Sequence, residues 1–156
     1  METTNIVDFA RRDRVTEALT DLLRTGAQQL TATTVEAELT SYLAQFTDVR
    51  TEAGHAAVVR NGHHPARPFQ TGIGPVSVQI PKVRSMDGTS VTFRSARVPP
   101  DVRRTKTLEA ALPWLYLNGI SSGEMGAALK ILLGSEAKGL SANTVSRLKG
   151  EWAKEY

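Results

Sequence analysis

The sequence predicts an α+β fold, mainly α: an N-terminal helical pair, a small antiparallel three-stranded sheet and a C-terminal helix-turn-helix bundle. Three observations predict it. Apolar residues recur at three- and four-residue spacing before residue 47 and after residue 106. Around Val76, Val78 and Ile80 they alternate with Ser77 and Gln79 instead. Gly, Pro and Asn cluster between these stretches and mark turns. The divisions fall at 1–49 (helical, a dimerisation element), 50–98 (basic linker and small sheet) and 99–156 (helix-turn-helix lobe).

The first helix is expected from Val15, Ala18, Leu19, Leu22 and Leu23, with Gly26 as its stop. Thr33 followed by Glu36 has the form of a capping box opening a second helix, whose stripe is Val35, Leu39, Tyr42, Leu43 and Phe46. Two such stripes must pack on each other, on later lobes or on a second copy of the chain. Residues 48–66 read as an irregular linker, in which Asn61-Gly62 favours a tight turn. His55, His63 and His64 lie in that loop without a spaced carboxylate or cysteine, so they read as surface or phosphate-contacting residues and not as metal ligands. Three strands are expected near 67–71, 76–83 and 90–94, with turns at Gly72-Ile73-Gly74-Pro75 and Asp87-Gly88. The sheet margin is basic: Arg67, Lys82, Arg84, Arg94 and Arg97. Such a margin suits a DNA backbone, and it equally suits protection of a sheet edge from aggregation.

Beyond Pro99-Pro100, Thr105 or Thr107 can cap a helix carrying Leu108, Ala111, Leu112, Leu115 and Tyr116. Pro113 inside it should kink or split it. Asn118-Gly119 ends it. Ser121 and Glu124 form another capping box, before a face of Met125, Ala128, Leu129, Leu132 and Leu133. Gly134 is placed for a left-handed cap. Ser141 caps the last helix, in which Val145, Leu148 and Trp152 point inward.

Composition limits the function classes. A chain of 156 residues, 40% hydrophobic and 22% charged, suits one domain or two small lobes. Without cysteine there is neither a disulfide framework nor a thiolate metal site. No apolar run reaches the roughly 18 residues of a membrane span. The N-terminus lacks the order of a signal peptide, so a cytoplasmic, nucleoid-associated location is expected. No phosphate loop, nucleophile elbow or paired general acid and base is present, and no small-molecule substrate is expected. The net charge of +3 is unevenly spread: −4 over residues 1–49, +7 over 50–106 and zero over 107–156. The basic middle suits a polyanion, or is simply a solvated face.

The C-terminal helix pair supplies the sharper expectation. Once Val145, Leu148 and Trp152 are assigned to the core, Asn143, Thr144, Ser146, Arg147 and Lys149 share the outer surface. In a helix-turn-helix the second helix enters the major groove, and residues near its start reach base edges. Asn143, Thr144 and Arg147 are the expected base contacts, because Asn matches adenine and Arg matches guanine through paired hydrogen bonds. Ser146, Lys149 and Lys154 are placed for phosphate, as are Arg60, Arg67, Lys82, Arg84, Arg103, Arg104 and Lys106. The connection from Gly134 to Leu140 is longer than the turn of the compact motif, so an ordinary helical hairpin with a polar face is the competing possibility.

Five strings occur in a telling order: Arg60-Asn61-Gly62, Gln70-Thr71-Gly72-Ile73-Gly74-Pro75-Val76, Ile80-Pro81-Lys82-Val83-Arg84, Leu117-Asn118-Gly119-Ile120-Ser121-Ser122, and Asn143-Thr144-Val145-Ser146-Arg147-Leu148. Together they resemble the N-terminal portion of the Mutator-type bacterial insertion-sequence transposases, from about Val35 onward. The resemblance implies a region that binds double-stranded DNA at the element ends, and a ribonuclease H-like catalytic domain after it. In the family, that domain's three carboxylates bind two divalent metals, usually Mg²⁺, about 4 Å apart for phosphoryl transfer. The sequence reaches Tyr156 before the first of those carboxylates, and none of its own Asp or Glu matches one. Neither cofactor nor strand-transfer activity is therefore expected of these residues, and a truncated gene or a fragment is. Partners are DNA and a second copy or a full-length transposase. A solitary DNA-binding regulator and an inert remnant are the alternatives.

Overall fold

The computed structural model describes residues 9–135, 137 and 141–155. In order, its elements are α1 (Phe9–Ala44), β1 (Val58–His63), β2 (Arg67–Thr71), β3 (Gly74–Val78), β4 (Pro81–Ser85), α2 (Lys106–Leu117), α3 (Met125–Leu133) and α4 (Ala142–Glu155). The class is mixed α+β, as expected, but several elements differ from expectation.

The N-terminal pair is one 36-residue helix. Gly26 does not stop it: a single helical glycine costs only about 1 kcal/mol. The threonines do not cap it either. The hydroxyls of Thr31, Thr33 and Thr34 donate to the carbonyls of Ala27, Gln29 and Leu30, four residues back, at 2.7, 3.0 and 2.8 Å. This back-bonding satisfies the side chain inside a helix and removes the reason for a break. Glu36 is likewise no cap, since it pairs with Arg60 across the fold.

Four strands form two antiparallel pairs in place of one three-stranded sheet. In the β2–β3 hairpin, Arg67 faces Val78 and Thr71 faces Gly74. Gly74 follows the turn with φ of 98°, a conformation that favours glycine. The β1–β4 pair takes its first strand from the segment expected to be a linker. Its register shifts between Arg60 and His63, and Gly62 carries φ of 68° there, so Asn61-Gly62 forms a bulge within a strand and not a hairpin turn. The expected strand at 76–83 is divided between β3 and β4, and no strand forms at 90–94. Phe93 is nonetheless buried, its ring edge-on to Tyr42 at 5.5 Å. What holds that segment is a side-chain tie: the Ser95 hydroxyl donates to Glu38, and the Arg97 N–H donates to the same carboxylate at 3.2 Å.

Two cores result. The first joins the C-terminal half of α1 to the strands through Val35, Leu39, Val76, Val78, Phe93 and Val98. The second gathers Leu108, Leu112, Leu115, Met125, Leu129, Val145 and Leu148 from α2, α3 and α4, with Trp152 packed against it. Thr105 caps α2 through Leu108 N–H at 3.4 Å. Pro113 does not split α2, which continues to Leu117, where Asn118 N–H and Nδ2 both donate to the Trp114 carbonyl. The Ser121–Glu124 capping box is present: Ser121 Oγ donates to Glu124 at 2.7 Å, and Glu124 N–H donates back to Ser121 Oγ at 3.3 Å. Leu132, expected on the inner face, is 62% exposed, while Leu133 is partly buried. Gly134 has φ of 94° but an extended ψ of 163°, so it turns the chain away and does not form a left-handed cap. Of the connection after it, residues 136 and 138–140 lie outside the described residues. Ser141 accepts from Thr144 N–H at 3.3 Å and caps α4.

The lobes meet at narrow seams. Gln70 of β2 exchanges backbone bonds with the chain entering α2: its N–H donates to Arg103 O at 2.8 Å, and Thr105 N–H donates to its carbonyl at 2.9 Å. Around Gly74, Arg24 of α1 donates to Ile73 O at 3.3 Å. Along α1, Val15, Leu19, Leu22, Leu23 and Leu30 are all more than half exposed. No helix among the described residues is long and apolar enough to cross a membrane.

Candidate nucleic-acid interface

The outer surface of α4 is set by its helical period. With Val145 and Leu148 buried and Trp152 partly so, residues 143, 147, 150 and 154 occupy the opposite side, and all four are exposed. Asn143 sits in the first turn. Arg147 is 64% exposed and pairs with Glu151 one turn on, at 2.9 Å. An exposed pair of this type is worth at most about 1 kcal/mol, so its guanidinium exchanges partners cheaply. Thr144 lies closer to the core, and its hydroxyl is 3.0 Å from Ser141 Oγ. That places it in the cap more than on the outer face. Ser146 is exposed, and Lys149 holds its ammonium 4.5 Å from the centre of the Tyr116 ring. Cation–π contact steadies the lysine without neutralising it.

The remaining basic residues fall into two groups, a division that sequence order does not reveal. Three hold the fold together. Arg60 forms a two-pronged pair with Glu36 of α1, at 2.8 and 2.7 Å, and approaches His63 Nε2 at 2.8 Å. Arg67 donates to the carbonyls of Pro99 and Val102 at 2.8 and 2.9 Å, strapping β2 to the following loop. Burial pushes the pKa of Arg67 down; the Arg103 charge adds to this, and Asp101 opposes it. The Arg104 side chain is 12% exposed, with Nε 3.7 Å from Glu109 Oε1. The second group faces water. Arg84, Arg103 and Lys106 are exposed, and Lys82 is half-buried on β4. Lys106 opens α2, where backbone N–H groups and the helix dipole attract anions.

Among the described residues, no group of three or more His, Asp or Glu comes together. The described residues therefore offer no ligand set for the divalent metals that the resemblance implies.

The described residues form a mixed α+β fold with exposed basic residues on both lobes and an exposed polar face on its last helix. Comparison with known proteins identifies the family. The chain belongs to the Mutator family of transposases, whose family model, described as "Transposase, Mutator family", matches residues 1–155. Over 48 residues it is 48% identical to the transposase for insertion sequence element IS6120 of Mycolicibacterium smegmatis, a stretch covering 31% of this chain and 15% of that protein. Over 32 residues it is 66% identical to the transposase for insertion sequence element IST2 of Acidithiobacillus ferrooxidans, covering 20% of this chain and 11% of that protein. The matched stretches thus span well under a fifth of either relative's length.

Proposed function

We propose that these residues form the DNA-binding part of a transposase, which recognises the terminal inverted repeats of an insertion element and performs no strand transfer by itself. One observation carries this: α4 anchors one side in a core and turns Asn143, Arg147 and Lys154 outward on the other. In this proposal α3 and α4 act as a helix-turn-helix, with α4 in the major groove. Arg147 meets guanine, and Asn143 meets adenine. Lys82, Arg84, Arg103, Lys106, Lys149 and Lys154 contact phosphate. The test is a mobility-shift titration on inverted-repeat DNA and on unrelated duplex across a salt series. A preference for the repeat that persists as salt rises supports the proposal; equal affinity at every salt concentration removes the claim to specificity.

A second reading rests on the exposed stripe of α1. Val15, Leu19, Leu22, Leu23 and Leu30 form an apolar surface with no cover among the described residues. We infer that a second copy, or a full-length transposase, covers it, which would let this chain regulate transposition by pairing. Sedimentation at micromolar concentration should show a dimer that Leu19→Glu with Leu23→Glu converts to monomer. Co-expression with an active relative should then lower transposition frequency. A monomeric parent chain, or an unchanged frequency, counts against this reading.

A further inference from the structure

The β1–β4 pair is a two-stranded ribbon whose two faces meet different surroundings. One face lies on α1. From it Arg60 donates to Glu36, Val83 packs against the first core, and Val58 is buried. His63 reaches the same side, with Nε2 3.6 Å from Glu36 Oε1. Strand residues alternate between faces, so Val59, Lys82 and Arg84 stand on the other side. The register shift adds to that outer face. Arg60 pairs with Val83 and His63 with Pro81, which leaves two residues, Asn61 and Gly62, opposite Lys82 alone. A regular strand would turn His63 away from the side of Arg60. The extra residue brings His63 back to Glu36 and leaves the Asn61–Gly62 step outermost. That side is open: Asn61 and Arg84 are exposed, Lys82 is half-buried, and a Cβ built on Gly62 meets nothing within 4 Å. The two strands differ in chemistry there. β4 presents the cations Lys82 and Arg84, whereas β1 presents the uncharged Val59 and Asn61.

We propose that this ribbon is a second sequence-reading element, lying in the major groove of the DNA that α4 binds. The proposal rests on the DNA-binding function above. A major groove about 12 Å wide admits a two-stranded ribbon, whose strands lie about 4.8 Å apart. Charge sets the orientation. β4 runs beside one phosphate backbone, where Lys82 and Arg84 neutralise phosphates, and this holds β1 over the base edges. There the Asn61 amide donates to N7 of an adenine and accepts from its N6 amino group. Lys82 and Arg84 fix position, and Asn61 carries the sequence information of the ribbon. One chain then reads two separate blocks of sequence, one with α4 and one with the ribbon.

The test is a competition assay on inverted-repeat duplexes in which single adenines are replaced by 7-deazaadenine. That base keeps its Watson–Crick pairing and lacks the N7 acceptor. With the parent chain, replacement at adenines in two separate blocks should each weaken binding about tenfold. Asn61→Ala should abolish the effect in one block and keep it in the other, and Asn143→Ala should do the reverse. Alanine suits the backbone at 61, since no described residue other than glycine has positive φ. Thermal melts establish that the variants are folded. Lys82→Gln with Arg84→Gln leaves the bulge untouched and should make the salt slope shallower by about two, with both blocks kept. An interference pattern that Asn61→Ala leaves unchanged overturns the ribbon and leaves the DNA-binding proposal standing. So does a salt slope that the double substitution leaves unchanged. A parent chain that binds no repeat duplex overturns both.

Discussion

Replacing Gly74 with alanine tests whether the two cores are locked together. Gly74 has φ of 98°, and a Cβ built there lies 2.9 Å from Arg24 Nη2 and 2.9 Å from the Leu133 carbonyl oxygen. Two costs add. Holding an L-residue at positive φ costs roughly 1–2 kcal/mol, offset by about 0.4–1 kcal/mol because alanine restricts the unfolded chain. The steric cost is separate. Arg24 is flexible and can retreat, losing its bonds to Ile73 O, but the Leu133 oxygen is backbone at the end of α3 and moves only if that helix moves. Overpacking of this kind costs about 1–3 kcal/mol. Gly74→Ala should therefore lose about 2–4 kcal/mol. Gly54→Ala is the control: Gly54 has φ of 81° with nothing within 4 Å of its Cβ, so only the conformational cost applies, about 1 kcal/mol or less. Urea denaturation of parent and both variants measures the difference. For a chain of this length, each kcal/mol lowers Tm by roughly 2–4 °C, so thermal melts should separate the two variants clearly. Equal losses at Gly54 and Gly74 would refute the reasoning, since α3 would then not press on the β2–β3 hairpin in solution.

Other expectations follow from single contacts. Glu38→Ala removes the acceptor of a buried Ser95 hydroxyl and of Arg97 N–H, and should cost about 1–3 kcal/mol in urea denaturation. The Asp87 carboxyl is lowered to about 2 by the Ser85 and Thr89 side chains and by Thr89 N–H. A depressed carboxyl stabilises the fold above the ordinary carboxylate pKa, and that contribution is lost as pH falls through about 2. An NMR titration of Asp87 with its midpoint near 4 would show that the turn does not hold it. Arg147→Ala should relax sequence preference, whereas Arg103→Ala should weaken all duplexes alike. A competition assay that finds the reverse places the sequence-reading element in the wrong lobe. Arg104→Ala, by contrast, should lower stability first, because that side chain is mostly buried.

Helical spacing made α2, α3 and α4 legible, because the same residues that repeat at three and four form the second core. The side-chain bonds of Ser121 and Ser141 were legible for a local reason: each accepts from an N–H only three residues on. What escaped the sequence depends on distant partners. Threonine followed by glutamate fits a helix start or a helix interior, and only the Glu36–Arg60 pair and the packing of Val35 and Leu39 decide for the interior. Asn61-Gly62 suits any positive φ, and the bulge of β1 supplies one without a hairpin. Val91 and Phe93 alternate like a strand, but the Ser95–Glu38 tie already seats Phe93 in the first core. The outward face of α4 follows from its period; that of the β1–β4 ribbon does not, since its register shift is set only by a partner strand distant in sequence.

The division of the basic residues has a measurable consequence. Nine cations were expected at phosphates: Arg60, Arg67, Lys82, Arg84, Arg103, Arg104, Lys106, Lys149 and Lys154. In the fold, Arg60 is paired with Glu36, Arg67 is spent on carbonyls, and Arg104 is mostly buried beside Glu109. On the proposed function, six remain to displace counterions from DNA. Because the logarithm of affinity falls with the logarithm of salt at about 0.9 per neutralised phosphate, the expected slope is roughly −5.5, against roughly −8 for all nine. A salt series on one duplex distinguishes these values. A slope near −8 would mean that Arg60, Arg67 and Arg104 leave their partners on binding. DNA would then have to replace the contacts joining β1 to α1 and β2 to the loop after Pro99, so such a slope should come with a loss of native contacts visible by hydrogen exchange. The shallower slope means instead that the fold itself selects which of its charges reach the duplex.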